Sequence, residues 1–359
     1  MKLAIHSPIF STHVGGTERL IADYIPALSH HFDVTLVTAS TERPSTLFRQ
    51  VQENVRTVLL PGTEERGMTN PFDSNDPLRW HFEGSVFGPE ACGFYAQSDI
   101  NLVATHFATD SLYVPHGVKN VLHLHGTPSS HSEIGELSTR RPDAFICVSE
   151  YVRSTWRRMY SHLAAAQMEV VYSHVDAAKY AGASERDIDV LYTGRLIRIK
   201  GVDHLLRALS STPARAVIIG TGPEESRLRH EALALGIDAE FRGFVPDREL
   251  RDAYARAKVA VFPSYAKEGV MVTMLEAAAS GCAIVTTDSC SMPEFVRHGS
   301  NGLLARPEDP DSLAECIRIL LQDAALRRSL GEQAMSDVSS WNLESRVQRI
   351  REIYEVTHG

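Results

Sequence analysis

The sequence predicts an α/β protein built of two Rossmann-like β/α/β domains. Three observations predict it. The chain has 359 residues, the length of two ordinary domains. Short apolar runs alternate along it with stretches of helical period, the pattern of a parallel sheet with crossover helices. At several junctions a glycine turn leads from strand into helix, as at Gly15-Gly16, Gly194 and Gly220-Thr221-Gly222.

Bulk composition narrows the class. Hydrophobic residues make up 43% and charged residues 23%, the balance of a globular protein with sizeable cores. A net charge of −9 argues against a general nucleic-acid partner. The five cysteines, Cys92, Cys147, Cys282, Cys290 and Cys316, are scattered without a Cys-x-x-Cys pair. They read as small core residues in a reduced compartment. The start, MKLAIHSPIF, is interrupted too early by Pro8 to serve as a signal peptide. No apolar run approaches ~18 residues. Cytoplasmic residence is the expectation.

In the first half, Leu3-Ala4-Ile5 reads as a strand and His6 to His13 as a loop. Gly15-Gly16-Thr17-Glu18 opens a helix with Leu20, Ile21, Tyr24, Ile25 and Leu28 on one face. Glycines there allow either a close approach to a ligand or a plain turn of unusual φ. The string is not Gly-x-Gly-x-x-Gly, so the dinucleotide fingerprint is absent. Strands follow at Val34–Thr38 and Val55–Leu60. Gly62 to Gln97 carries Trp80, Phe82, Phe87, Phe94 and Tyr95, either a helix or two packing onto the sheet or a recognition loop. The strand Asn101–Ala104 leads to His106, and Asn120–Leu124 leads to His125-Gly126. Those two rings fall at the carboxyl edge of the sheet, where open α/β folds place ligands. His123 alternates with His125 and can share its face. His116 and His131 stay unassigned. After the strand Asp143–Val148, Ser149-Glu150 caps a helix carrying Arg153, Trp156, Arg157 and Arg158. That basic-aromatic face is a solvated surface or a peripheral contact at the inner face of a membrane. Glu169–Tyr172 is the last strand before the polar linker Ala181–Asp187.

The second half centres on FPSYAKEGVMVTMLEAAASGCA, Phe262 to Ala283. A buried strand ends at Phe262. A loop holds Glu268-Gly269. A helix from Val272 carries Glu276 and is closed by Gly281. A helix N-terminus offers unpaired N–H groups and partial positive charge, which suits a phosphate. A carboxylate repels phosphate but accepts hydrogen bonds from sugar hydroxyls. A phosphate seat flanked by Glu268 and Glu276 therefore fits a nucleotide-sugar. Upstream, Val190-Leu191-Tyr192 leads to Gly194-Arg195 and Lys200-Gly201. A planar fork and a point charge there suit a diphosphate. Ala216–Ile219, Phe241–Val245 and Ala283–Thr287 continue the strands, with a helix over Asp247–Ala257 and an edge strand at Gly302–Leu304. Helices follow at Asp311–Gln322, Ala324–Asp337 and Leu343–Val356.

The string PS…EG…LEA…G…V…PE resembles the Glu-x7-Glu signature of the retaining glycosyltransferases of family 4, with the GT-B fold. The resemblance covers nearly the whole chain and is strongest from Arg195 to Glu294. It implies an acceptor domain at 1–176, a donor domain at 177–340 and a returning helix at 341–359. It implies transfer of a hexosyl or related group from a UDP- or GDP-linked sugar to a glycan, a lipid-linked or a small-molecule acceptor. By position, Arg195 and Lys200 bind the diphosphate, and Glu276 the ribose. Glu268 holds the transferred sugar through its hydroxyls. Gly269, Val270, Met271 and Val272 line the helix entry. Gly222, Phe244 and Val245 line the nucleotide, and Gly15 and Gly16 approach the donor phosphates across an interdomain cleft. His125 holds the sugar, with His106 as a supporting candidate. No cofactor and no metal are expected, because positive side chains cover the phosphate. Two departures stand out. Ser173-His174 replaces the family's Asn-Gly, and Met271 stands where the family has a second glycine, so a Cβ narrows the approach there. The same architecture also serves nucleotide-sugar epimerases and non-catalytic donor-binding subunits. The retained Arg195, Lys200, Glu268, Glu276 and His125 argue against lost catalysis.

Overall fold

The structure, a computed structural model, describes residues 1–72, 78–128, 132–160, 163, 166–180, 182 and 185–359. His131 and part of the expected linker lie outside the described residues. The chain divides into two units, Met1–Tyr172 with Leu343–Gly359, and Ser173–Asn342.

The first unit runs β1 (Lys2–His6), α1 (Gly16–Leu28), β2 (Asp33–Ala39), α2 (Thr46–Gln52), β3 (Arg56–Leu60) and α3 (Leu78–Gln97). It continues with β4 (Leu102–Thr105), α4 (Ala108–Ser111), β5 (Lys119–Leu124), α5 (Ser132–Thr139), β6 (Ala144–Cys147), α6 (Glu150–Met159) and β7 (Met168–Val170). Its sheet is parallel, in the order β3-β2-β1-β4-β5-β6-β7. The strand order reverses between β1 and β4, so the loops after those strands open at a switch point. His6 belongs to β1 rather than to the loop. Helices α2, α4 and α5 were not legible as apolar stripes, being short and polar-rich.

The aromatic stretch resolves into one 20-residue helix, α3, with Pro89 inside it. Phe87, Ala91 and Tyr95 are buried against Ala4, Val37 and Val103, so these aromatics are core. Trp80 stays half-buried, with the His13 ring tilted against it at a centroid distance of 5.1 Å and Phe107 stacked on it at 6.0 Å. On α6 the expected basic-aromatic face loses its aromatic. Trp156 is buried and its Nε1 donates to the Gly126 carbonyl at 2.8 Å. Arg153 pairs with Glu150. The membrane contact thus has no exposed tryptophan on α6. Among the described residues no helix is long and apolar enough to cross a membrane.

The second unit runs β8 (Ile188–Thr193), α7 (Val202–Ser211), β9 (Ala216–Ile219), α8 (Glu225–Ala234), β10 (Ala239–Gly243), α9 (Asp247–Arg256) and β11 (Ala257–Phe262). Then come α10 (Val272–Ala279), β12 (Ala283–Thr287), β13 (Leu303–Ala305), α11 (Pro310–Gln322) and α12 (Ala324–Val338). Its parallel sheet has the order β10-β9-β8-β11-β12-β13, again reversing beside the first strand. Buried aliphatics of β8, β9, β11 and β12 pack on α7 and α11 through Leu205, Leu209, Ile317 and Leu320.

The last helix, α13 (Leu343–His358), belongs to the first unit. Its Val347, Ile350, Ile353 and Tyr354 join the core formed by α1 and the sheet. The division falls at Tyr172/Ser173 and Asn342/Leu343, a few residues from the expected boundaries. Val175 N–H donates to the Trp341 carbonyl at 2.9 Å, which holds both ends of the second unit together.

One packing feature gives a direct prediction. Gly220 has φ +135°, and a Cβ there would lie 1.8 Å from the Gly194 carbonyl oxygen. Backbone meets backbone, so neither side can yield cheaply. Gly220→Ala is expected to lose about 3 kcal/mol or more of stability. At Gly16, a Cβ would meet nothing within 4 Å, and Gly16→Ala is expected to be neutral or slightly stabilising. Thermal unfolding of both variants checks this; equal midpoints would refute it.

Candidate functional site

The second-unit residues expected to hold the donor follow the carboxyl ends of β8, β9, β10 and β11. Their turns are tied to each other by backbone. Leu196 N–H donates to the Thr221 carbonyl at 2.8 Å, and Tyr265 N–H to Ile199 at 3.2 Å. Gly201 has φ +67°, and a Cβ would lie 2.2 Å from the Pro263 carbonyl oxygen. A Cβ on Gly222 would lie 2.3 Å from the Leu196 carbonyl oxygen. Glycine at these two positions lets the β8, β9 and β11 loops close on one another.

At the centre lies Lys200. Its Nζ is 3.1 Å from Glu268 Oε2 and donates to Met271 Sδ at 3.3 Å. Two of its three donors are thereby directed at the loop before α10. Sequence reasoning treats Lys200 as a phosphate ligand and Glu268 as a sugar ligand; the structure joins them as a largely buried pair. The loop is anchored on its other side. Ser291 Oγ donates to the Glu268 carbonyl at 2.9 Å, and Thr287 Oγ1 donates to the Ser264 carbonyl. Met271 is the N-cap of α10, with φ −70° and ψ 128°. That conformation makes no demand for glycine, so the departure at this position is accommodated. Its thioether turns toward Lys200 and Ser264. No side chain caps the first turn of α10, and no acidic residue lies in it. Its N–H groups keep the character of an anion seat. Val270 and Met271 are buried, while Gly269 and Val272 are half-buried.

One turn into α10, Glu276 is buried and accepts from Tyr254 Oη at 3.0 Å. Tyr254 is shared with Thr193 Oγ1 at 2.7 Å. Burial and the Glu276 carboxylate raise the Tyr254 hydroxyl well above its ordinary value, so it remains a donor. Tyr254 was missed by sequence reasoning. It lies on α9, 22 positions before Glu276, and only the tertiary fold brings the two side chains together. Arg195 lies on the exposed side of the turn and makes no ion pair among the described residues. Phe244 is exposed and Val245 buried.

The unit holds two Asp-x-Asp triplets, Asp187-Ile188-Asp189 and Asp309-Pro310-Asp311, and three of their four carboxylates are committed within the protein. Asp187 accepts from Arg256 Nε at 2.8 Å, and Asp189 from Lys258 Nζ at 2.6 Å. Asp309 caps α11 through the Ser312 N–H.

Gly15, Gly16 and His125 lie in the first unit. Gly15 is the N-cap of α1 with φ −120°, and Gly16 likewise has no positive φ, so of the two alternatives the turn of unusual φ is not the one formed. The Gly15 N–H donates to Glu18 Oε2 at 2.9 Å, so that donor is already used inside the helix. A Cβ on Gly15 would lie 2.7 Å from the same carboxylate oxygen. His125 stands just past β5 in a group of three rings. Its Nε2 is 2.9 Å from His106 Nδ1, and His106 Nε2 is 3.2 Å from Tyr24 Oη. His123 Nε2 is 2.7 Å from Tyr354 Oη, while its buried Nδ1 has no partner. One ligand nitrogen from each ring falls within 4.8 Å of the others. Burial and the buried Arg346 guanidinium push His125 down to about 3, and burial lowers His106 and His123 well below the ordinary histidine value. All three are neutral at pH 7. A dication among them would add to the Arg346 charge.

A family profile described as glycosyl transferases group 1 matches residues 177–337. A second, glycosyltransferase family 4, matches residues 14–179. The chain belongs to the group 1, family 4 glycosyltransferases. An exopolysaccharide phosphotransferase of Streptomyces coelicolor is 31% identical over 218 residues, 59% of this chain and 23% of that protein. A D-inositol 3-phosphate glycosyltransferase of Corynebacterium jeikeium is 33% identical over 178 residues, 46% of this chain and 42% of its own length. The chain thus spans under half of either relative. The structure of Anabaena HepE, solved with UDP and glucose, superposes with a TM-score of 0.80 at 17% identity, covering 99% of this chain and 100% of that one. At that identity the likeness is one of GT-B fold.

Proposed function

We propose that the protein is a retaining glycosyltransferase. It moves a hexosyl or related group from a UDP- or GDP-linked sugar to a glycan, lipid-linked or small-molecule acceptor. The observation that carries this is Lys200, held between Glu268 and the uncapped N-terminus of α10, with Glu276 one turn on. A departing diphosphate gains negative charge, and a fixed cation beside a helix N-terminus stabilises charge as it develops. Arg195 adds a second cation from the exposed side of the same turn. Glu268 takes hydroxyls of the transferred sugar and Glu276 those of the ribose. Retention follows when the acceptor attacks from the face the diphosphate leaves, so neither glutamate acts as a nucleophile. Arg195 and Lys200 supply the positive charge, and the reaction is proposed to be metal-free. Relatives named for D-inositol 3-phosphate transfer and a neighbour holding UDP support trying UDP first and a polyol phosphate among the acceptors.

The test is calorimetric binding of UDP, GDP and ADP to the full chain. One nucleotide is expected to bind, and Arg195→Ala and Glu276→Ala each to weaken it about tenfold or more. Absence of binding by all three would overturn the reading.

A further inference from the structure

We infer that Tyr24 and His106 form a proton-ordered relay that fixes His125 as the Nδ1–H tautomer, so that this ring meets its ligand as a hydrogen-bond donor. The inference rests on the reading of His125 as the ring that holds the transferred sugar.

The argument is a count of protons along two hydrogen bonds. Tyr24 is fully buried on α1, and among the described residues its hydroxyl meets one hydrogen-bond partner, His106 Nε2, at 3.2 Å. His106 is buried just past β4, and its Nδ1 meets His125 Nε2 at 2.9 Å. Two orderings fit neutral rings. In the first, the Tyr24 O–H donates to His106 Nε2. A neutral His106 then carries its proton on Nδ1 and donates to His125 Nε2, and a neutral His125 carries its proton on Nδ1. In the second, His106 Nε2–H donates to the Tyr24 oxygen. His125 Nε2–H then donates to His106 Nδ1, and the outward His125 Nδ1 is a bare acceptor. The second ordering leaves the Tyr24 O–H buried with nothing to accept it. An unmade buried donor disfavours an ordering roughly fivefold to a hundredfold, a preference large enough to make one ordering dominant. In the first ordering, both donors inside the relay are used.

The protonation states required are those the surroundings impose. Burial raises the Tyr24 phenol, which stays O–H. Burial, reinforced by His123, His125, His6 and Arg346, lowers His106, and burial with Arg346 lowers His125. Arg346 sits over the Tyr24 ring at 5.8 Å and is itself anchored by the Val171 and Tyr172 carbonyls, so the positive charge has a fixed place. Among the described residues His125 Nδ1 has no hydrogen-bond partner. The tautomer of a histidine is set by what its other nitrogen bonds, and here that is His106. Tyr24 and His106 are therefore positioning residues, acting through His125. The chemical consequence is a choice of ligand atom: the His125 ring offers a proton to a sugar oxygen lone pair.

The test uses full-length protein labelled with ¹⁵N-histidine. Long-range ¹H–¹⁵N spectra report which ring nitrogen carries the proton, and His125→Gln assigns the signal. The wild type is expected to show His125 protonated at Nδ1. Tyr24→Phe is expected to shift His125 toward the Nε2–H form and to lower kcat roughly tenfold with the donor KM little changed. His106→Gln can accept from Tyr24 and donate to His125, so it is expected to keep the wild-type tautomer and most of the activity. His106→Leu is expected to lose both. Wild-type His125 protonated at Nε2, or a tautomer unmoved in both Tyr24→Phe and His106→Leu, would overturn the relay. So would stoichiometric Co²⁺ binding that depends on His106, His123 and His125, because the ion would occupy the nitrogens the relay uses. The spectra need no substrate. A correct tautomer in a protein that binds no nucleotide would refute the functional reading and leave the relay standing.

Discussion

Lys200→Ala is expected to lower kcat for sugar transfer about 10²–10³-fold, the usual cost of removing one preorganised donor from developing charge. The side chain is already fixed before any donor binds, by Glu268 at 3.1 Å and by Met271 Sδ at 3.3 Å. Fixing it in advance removes the reorganisation that a free lysine would need. Lys200→Arg is not a conservative rescue, because a planar guanidinium fork does not reproduce the point charge that Lys200 places between Glu268 and the thioether. Glu268→Gln separates the roles of the pair. It keeps a hydroxyl acceptor and removes the counter-charge, so it is expected to lower kcat less than Lys200→Ala does. Steady-state kinetics with the nucleotide-sugar that binds would measure both. A Lys200→Ala enzyme within threefold of wild type would remove Lys200 from the diphosphate site.

The first unit is expected to lose stability steeply as pH falls from 6.5 to 5. His106 and His123 are buried and His125 is half-buried, and their surroundings hold all three neutral, with His125 pushed down to about 3. Below about 6.5 an unfolded chain takes up protons at these rings while the folded chain does not. The sign is therefore a stability fully present above 6.5 and lost as pH falls toward the folded values. Each ring contributes up to about 1.4 kcal/mol per pH unit, so the three together lose on the order of 5 kcal/mol by pH 5. Arg346 sharpens the effect, since each added proton would join a buried cation. Urea unfolding followed by tryptophan fluorescence, in a Trp341→Phe background, reports the first unit through Trp80 and Trp156. A midpoint constant between pH 7 and 5 would show that the rings protonate freely in the folded state. His123→Phe, which removes one buried neutral ring, is expected to make the dependence shallower by about a third.

Much of the architecture is written in local pattern. The runs Val259–Phe262, Ala216–Ile219 and Ala283–Val285 are apolar because strands covered on both faces must largely be, and they emerged within β11, β9 and β12. Glycine at 201, 220 and 222 marks places where backbone approaches backbone, and those turns did set the loops that hold Lys200 and Glu268. The motif from Glu268 to Glu276 was legible because an acid before a helix and a second acid one turn in are sequence-local facts. What escaped were elements without a stripe, such as α4 and α5, and the single long helix α3, whose Pro89 and glycines argue locally against continuity.

By itself, then, the sequence determined two doubly wound parallel units, the strand-end turns, and which cations and carboxylates border the α10 N-terminus. Only the tertiary structure decided how these groups are partnered. Lys200 is paired with Glu268 across 68 positions, Glu276 is held by Tyr254, and the Gly15 N–H is used by Glu18. It also decided that His106 and His125 share a hydrogen bond with Tyr24 behind them, and that Tyr354 reaches His123 from 231 positions away. The physical reason is range. Periodicity and turn chemistry act over a few residues, whereas a buried polar group takes whichever partner the packed core brings within about 3 Å.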